Sequence, residues 1–198
     1  MGDDSPEAQV CYIACHGYGM NVERFARWFE VLPKGQVALC PEGLSRFYWG
    51  GFSGRHAASW MTSDERLHEI EDFVAWLDQV HAEAHSRFPE ARIVAFGFSQ
   101  GAATIMRWLN ASRPSLSRLV LWSGTPPEDI DYAPVEYFAD TSPVVYWGDD
   151  DQLVPWERAA QRFAEVSQVS FRQNMFVGGH RVTSDALMRL ALDVASAG

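Results

Sequence analysis

The chain lacks a surplus of positive charge: 16 Lys and Arg stand against 26 Asp and Glu in 198 residues, a formal net charge of -10. Proteins that hold nucleic acid do so with clustered Lys and Arg that release counterions from phosphate, so a nucleic-acid partner is not expected. The same sign disfavours adhesion to an anionic bilayer, and no apolar run approaches the roughly 20 residues a spanning helix requires. Stable membrane insertion is therefore not expected either. The first nine residues are acidic and polar, without the basic start and apolar stretch of a secretory signal, and Pro6 occupies the place where a myristoylation motif wants a hydroxyl residue. Cytoplasm is the expected location. Cysteine is scarce: Cys11, Cys15 and Cys40 fall in apolar strand-like runs, with no C-x-x-C or Cys/His spacing, so buried free thiols are expected, and no metal or cofactor. Cys15 beside His16 is not expected to form a nucleophile pair, because neighbours on a strand point to opposite faces. Repeats, low-complexity tracts and Pro/Gly-rich linkers are missing too, and one domain over 1–198 is the simplest organisation. Nothing in this composition opposes a homodimer.

What the chain does have is alternation. Short apolar runs rich in β-branched and aromatic residues at 10–15, 37–40, 92–98, 118–122, 144–147 and 169–177 read as strands. Between them, 22–32, 64–87, 100–111, 156–166 and 183–195 carry helical period. Strands that are apolar throughout imply burial on both faces, which predicts an α/β fold: a mostly parallel sheet of about six strands with helices on both faces. The 64–87 helix shows an apolar stripe at Leu67, Ile70, Val74, Leu77 and Val80 or His81, with Ser63 or Asp64 able to cap it. Two long irregular stretches, 41–62 and 124–142, follow strands, and loops at the carboxyl ends of parallel strands build ligand crevices.

Gly97-Phe98-Ser99-Gln100-Gly101 lies where an apolar strand ends and a helix begins, the context a G-x-S-x-G nucleophile elbow needs. Small residues two positions either side let strand and helix approach. Ser99 is thus the candidate nucleophile, and a serine needs a base held in one tautomer by a third group. The order for this elbow is serine, acid, histidine, and one histidine follows Ser99: His180, after Gly178-Gly179 at the end of the last strand. Of the others, His16 ends the first strand, His56 falls in a polar loop, and His68, His81 and His85 lie on the long helix. The acid should come from Asp149, Asp150 or Asp151, which stand together after the 144–147 strand; composition does not choose among them.

Gly148-x-x-Asp151-x-Leu153-Val154-Pro155 resembles the acid loop of the carboxylesterase/acyl-protein thioesterase/lysophospholipase family of α/β hydrolases. The resemblance extends to His16-Gly17-Tyr18-Gly19, to Ala58-Ser59-Trp60, to the elbow and to Gly179-His180, and so covers most of the chain. It implies Asp151 as the acid, and the backbone amides of Tyr18 and Gln100 as oxyanion donors. It also implies ester or thioester cleavage through an acyl-enzyme on Ser99. A dinucleotide fingerprint is the rival for Gly17-x-Gly19, but position 22 is valine and no acid closes the second strand.

The 42–62 stretch is dense in aromatics, and Trp49 and Trp60 are candidates for an acyl pocket; Leu153 and Trp156 are further candidates beside Asp151. The 125–142 stretch is too short for a large cap domain, so the expected substrate is a small or soluble ester. Long-chain thioesterase or lysophospholipase activity is the alternative, and a non-catalytic binding protein a more distant one.

Overall fold

The computed structural model describes residues 1–2 and 5–196. In chain order the elements are β1 (Val10–Cys15), α1 (Val22–Ala26), a 3-10 turn (Arg27–Val31), β2 (Gln36–Leu39), β3 (Ser45–Tyr48) and β4 (His56–Ser59). They continue with α2 (Arg66–Arg87), β5 (Arg92–Phe98), α3 (Gln100–Ser112), β6 (Arg118–Trp122), α4 (Val135–Asp140), β7 (Val144–Gly148), α5 (Trp156–Glu165), β8 (Arg172–Phe176) and α6 (Ser184–Ser196).

Six strands form one sheet in the order β2-β1-β5-β6-β7-β8, and every pairing in it is parallel. Because side chains alternate along a strand, each inner strand feeds two cores. Cys11, Ile13, Ile93, Ala95, Leu119, Leu121, Val145 and Trp147 point to one face, where α2, α3 and α5 cover them. Val10, Tyr12, Val94, Phe96, Val120, Trp122, Val144 and Tyr146 point to the other, under α1, the 3-10 turn and α6. Trp122 stacks on Tyr146 at 4.6 Å there. Each such side chain contributes about 1.5–3 kcal/mol when fully buried. The fold is that of an α/β hydrolase, with helices on both faces as the apolar strands predict.

Several boundaries differ from expectation. The 22–32 helix breaks after Ala26 and finishes as the 3-10 turn. The last strand starts at Arg172, because it is an edge strand and Val169 turns into the core before it. The long helix starts at Arg66 with Glu65 in the left-handed region as its N-cap, and neither Ser63 nor Asp64 caps it. Its buried stripe is Phe73, Leu77, Val80 and Ala84, while Leu67 lies in the first turn, exposed to solvent. Cys40 sits one residue past β2 and is partly exposed. Among the described residues no helix is long and apolar enough to cross a membrane.

The stretch after β2 is not irregular. It holds an antiparallel hairpin, β3 paired with β4 from Ser45↔Ser59 to Tyr48↔His56, so that His56 belongs to a strand and not to a loop. Gly50, Gly51 and Gly54 have positive φ in its turn, where side-chain-bearing residues would be strained. The connection from β6 to β7 carries only the six-residue α4, whose Phe138 is buried in the core, and among the described residues it adds no cap domain. The chain leaves β1 toward β2 on one side and returns as β5 on the other. The carboxyl ends of β1 and β5 therefore flank a topological switch point, where a crevice forms.

Candidate active site

Ser99 follows β5 with φ 55° and ψ -117°, a strained conformation for a residue with a side chain. The strain persists because the backbone around it has no slack. A Cβ on Gly97 would lie 2.4 Å from the Gly101 carbonyl oxygen, one on Gly101 2.1 Å from that of Cys15, and one on Gly124 2.4 Å from that of Ser99 itself. The Ser99 N–H donates to the Trp122 carbonyl at 2.9 Å. Strand, turn and helix are thus clamped together by three close approaches that only glycine permits.

The loop after β7 and the loop after β8 run side by side. Asp149 N–H donates to the Phe176 carbonyl, Asp150 N–H to that of Gly178, and Gly178 N–H returns to Asp149 Oδ1 at 2.9 Å. Gly148 is needed beneath them, since a Cβ there would meet the Gly178 oxygen at 2.3 Å. This places Asp151 Oδ2 2.8 Å from His180 Nδ1, while Asp151 Oδ1 accepts the amides of Leu153 (3.1 Å) and Val154 (2.9 Å). Asp149 is turned to Gly178 and Asp150 to the Gln152 side chain. Of the three aspartates, Asp151 alone reaches the histidine. Its carboxylate fixes the proton of His180 on Nδ1 and leaves Nε2 as an acceptor.

The Phe98 ring lies 5.0 Å from that of His180 and holds it beside the elbow. Ser99 Oγ has no hydrogen-bond partner among the described residues; such bonds commonly close only when substrate is bound.

The Tyr18 and Gln100 amides have no acceptor among the described residues, whereas Gly17, Gly19 and Met20 on either side of Tyr18 all donate. Gln100 begins α3, where the amide is free by position. The loop carrying Tyr18 is held by the hairpin: Gly19 N–H donates to the Ala58 carbonyl, Ala58 N–H to that of Met20, and the Trp49 indole N–H to that of Gly19 at 2.9 Å. The Gln100 side chain accepts the Trp60 amide at 3.2 Å and donates to the Met61 carbonyl at 2.9 Å.

His16 is fully buried beneath this loop. Nδ1 lies 2.8 Å from the Gly17 carbonyl and Nε2 accepts the Gly43 amide at 3.0 Å, which requires the neutral Nδ1–H tautomer. Burial lowers its pKa in the same direction. Burial also pushes the thiols of Cys11 and Cys40 up to about 12 and that of Cys15 well above the ordinary cysteine value, so none supplies a thiolate.

The sequence-derived pocket residues separate. Trp49 stands at the Tyr18 loop, its ring 6.3 Å from that of Tyr18. Trp60 does not line a pocket: it is buried, donates its indole N–H to the His16 carbonyl at 2.9 Å and packs on His16 and Phe73, because it follows β4 into the core. Leu153 is exposed beside Asp151. Trp156 packs on Trp147 and Phe163, chiefly a wall between α5 and the sheet. The residues that reading missed are Phe98, which seats His180, and the β3–β4 pair, whose signal was two short runs around a glycine-rich turn.

A phospholipase/carboxylesterase family model matches residues 3–192. No curated protein matches the sequence. Among solved structures, the Bacillus cereus carboxylesterase is 17% identical with a TM-score of 0.71, covering 100% of this chain and 92% of its own. The Zea mays acyl-protein thioesterase 2 is 18% identical with a TM-score of 0.70, covering 95% and 93%. A Mesorhizobium loti carboxylesterase is 13% identical with a TM-score of 0.69, covering 93% and 88%.

Proposed function

The chain belongs to the phospholipase/carboxylesterase family of α/β hydrolases, and from that premise we propose that it is a serine carboxylesterase acting on small or soluble esters. The observation that carries the reading is the 2.8 Å contact between Asp151 and His180 beside a strained serine elbow. His180 Nε2 takes the Ser99 proton as Oγ attacks the carbonyl carbon. The tetrahedral oxyanion is met by the Tyr18 and Gln100 amides, each commonly worth about 3 kcal/mol at such a position. As the carbon–oxygen bond to the alcohol breaks, His180 returns the proton to the leaving oxygen and the acyl group remains on Ser99. Water, deprotonated by His180, then attacks the acyl-enzyme; the acid departs and Ser99 regains its proton.

The preference for short acyl groups is supported by the walls around the elbow. A depression of about 540 Å³ adjoins α3 at Ala103, one turn past Ser99, where Arg66, Arg107, Arg162, Glu128 and Asp129 line it together with Met61, Thr125 and two prolines. Arg107 is bidentate to Asp129, with Arg66 on the same carboxylate. A long acyl chain laid there would have to desolvate these charges. The apolar depression, between the end of β2 and α2, shares no residue with the elbow or with the Asp151–His180 pair.

Labelling by a fluorophosphonate probe tests the proposal. The protein should label and Ser99→Ala should not; a wild-type protein that stays unlabelled would remove the serine mechanism.

A further inference from the structure

The chain is strongly acidic, yet one depression of about 450 Å³ is walled by Arg24, Arg27 and Arg55 together with Trp28, Met20 and Gly19, and no carboxylate lines it. Of the twelve other arginines, Arg46, Arg66, Arg87, Arg107, Arg118, Arg162 and Arg172 each pair with an Asp or Glu among the described residues, and five do not. Arg24, Arg27 and Arg55 have no ion-pair partner among the described residues. Glu42 pairs through Oε2 with Arg46, and Glu23 and Glu30, on the same stretch of chain as Arg24 and Arg27, lie outside the lining. Arg24, Arg27 and Arg55 are all solvent-exposed, and three guanidiniums lining one hollow offer it forked donors that suit a carboxylate or phosphate.

The hollow is next to the candidate catalytic centre. Gly19 and Met20 continue the chain from Tyr18. The place a Cβ on Gly17 would take is 3.1 Å from Ser99 Cβ and 3.3 Å from Met20 Sδ, so Met20 and Ser99 both border the same small space beside Gly17. The Trp28 ring is 5.3 Å from that of Phe98, which in turn packs on His180.

We infer that this hollow is a subsite for an anionic group, a carboxylate or phosphate, carried by the ester while its carbonyl lies at Ser99. The assignment rests on the esterase reading and narrows it to substrates with a negative charge on the acyl or the alcohol part. Trp28 supplies a flat wall for the atoms that join the anion to the ester.

Two matched pairs test it. 4-Acetoxybenzoate against 4-acetoxybenzamide places the charge on the leaving group; phenyl hydrogen adipate against phenyl hexanoate places it on the acyl group. In one pair kcat/KM should favour the anion by roughly tenfold at low salt, and the preference should shrink as salt is added. Replacing Arg24→Gln, Arg27→Gln and Arg55→Gln together should bring that ratio toward one, while the three Arg→Lys changes should keep part of it. Ratios near one in both pairs, or a preference that survives the Gln variant, would overturn the subsite while fluorophosphonate labelling of Ser99 still upholds the esterase. If neither labelling nor turnover is found, the esterase reading falls instead. Calorimetric binding of 4-hydroxybenzoate then decides the hollow: binding lost in the Gln variant retains an anion site, and no binding in the wild type removes it.

Discussion

At the scale of single residues, what distinguishes Asp151 from its two neighbours is where each carboxylate finds donors. Asp151 Oδ1 is held by two amides of its own turn, which aims Oδ2 at His180. Asp151→Asn should therefore lower kcat on a simple ester by about 10³–10⁴, because an amide donating to Nδ1 forces the tautomer that cannot accept the Ser99 proton. Asp149→Asn and Asp150→Asn should retain most of the rate; comparable losses there would reassign the acid. Ser99 and His180 were singled out as candidates by pattern and chain order, but three consecutive aspartates differ only in backbone direction, which no composition records. Trp60 was misread for a related reason: an aromatic after a short strand enters the core or lines a pocket according to tertiary contacts that its neighbours in sequence do not encode. His16 carries a prediction of its own. Burial holds its imidazole below the ordinary value of about 6.5, so on acidification the unfolded chain binds a proton that the folded chain refuses. The stability this represents is present above pH ~6.5 and is lost as the pH falls toward the folded value. The urea midpoint should drop as the pH falls below about 6.5, with the His16 NMR signals titrating at lower pH than a free imidazole.

At the scale of elements, strand-to-helix packing is set by glycines, and the tightest is Gly101 on α3 against the end of β1. Gly101→Ala should destabilise the fold by about 1–3 kcal/mol or more, since the clash is with backbone that cannot rotate away. Chemical denaturation measures the loss, and an unchanged midpoint would mean that α3 can slide on the sheet. Helix and strand positions followed period and burial well, because parallel strands buried on both faces leave little else for their residues to do. The errors cluster where tertiary structure overrides period. Leu67 fits the α2 stripe by spacing but falls in a first turn that projects beyond the core, and Phe73 takes the inward place. The β3–β4 hairpin escaped because its runs are only four residues each and alternate weakly; its role is to hold the Tyr18 loop through Ala58 and Trp49.

At the scale of the whole molecule, the proposed preference for short esters rests on the charged depression that reaches Ala103 beside the elbow. Turnover of 4-nitrophenyl esters should fall from acetyl and butyryl to palmitoyl; a rise toward long chains would favour the lysophospholipase alternative and require an apolar channel the described residues do not form. The same architecture has a temporal consequence. The candidate catalytic groups hang from β1, β5, β7 and β8, and β1 pairs in register with β5, roughly eighty residues further along the chain. Parallel pairings between such distant segments form late in folding. Fluorophosphonate labelling of Ser99 should therefore follow sheet assembly: a chain that has collapsed and made its helices, but has not yet set β5 against β1, should stay unlabelled. The time course of labelling would then report that long-range pairing, independently of any spectroscopic signal of secondary structure.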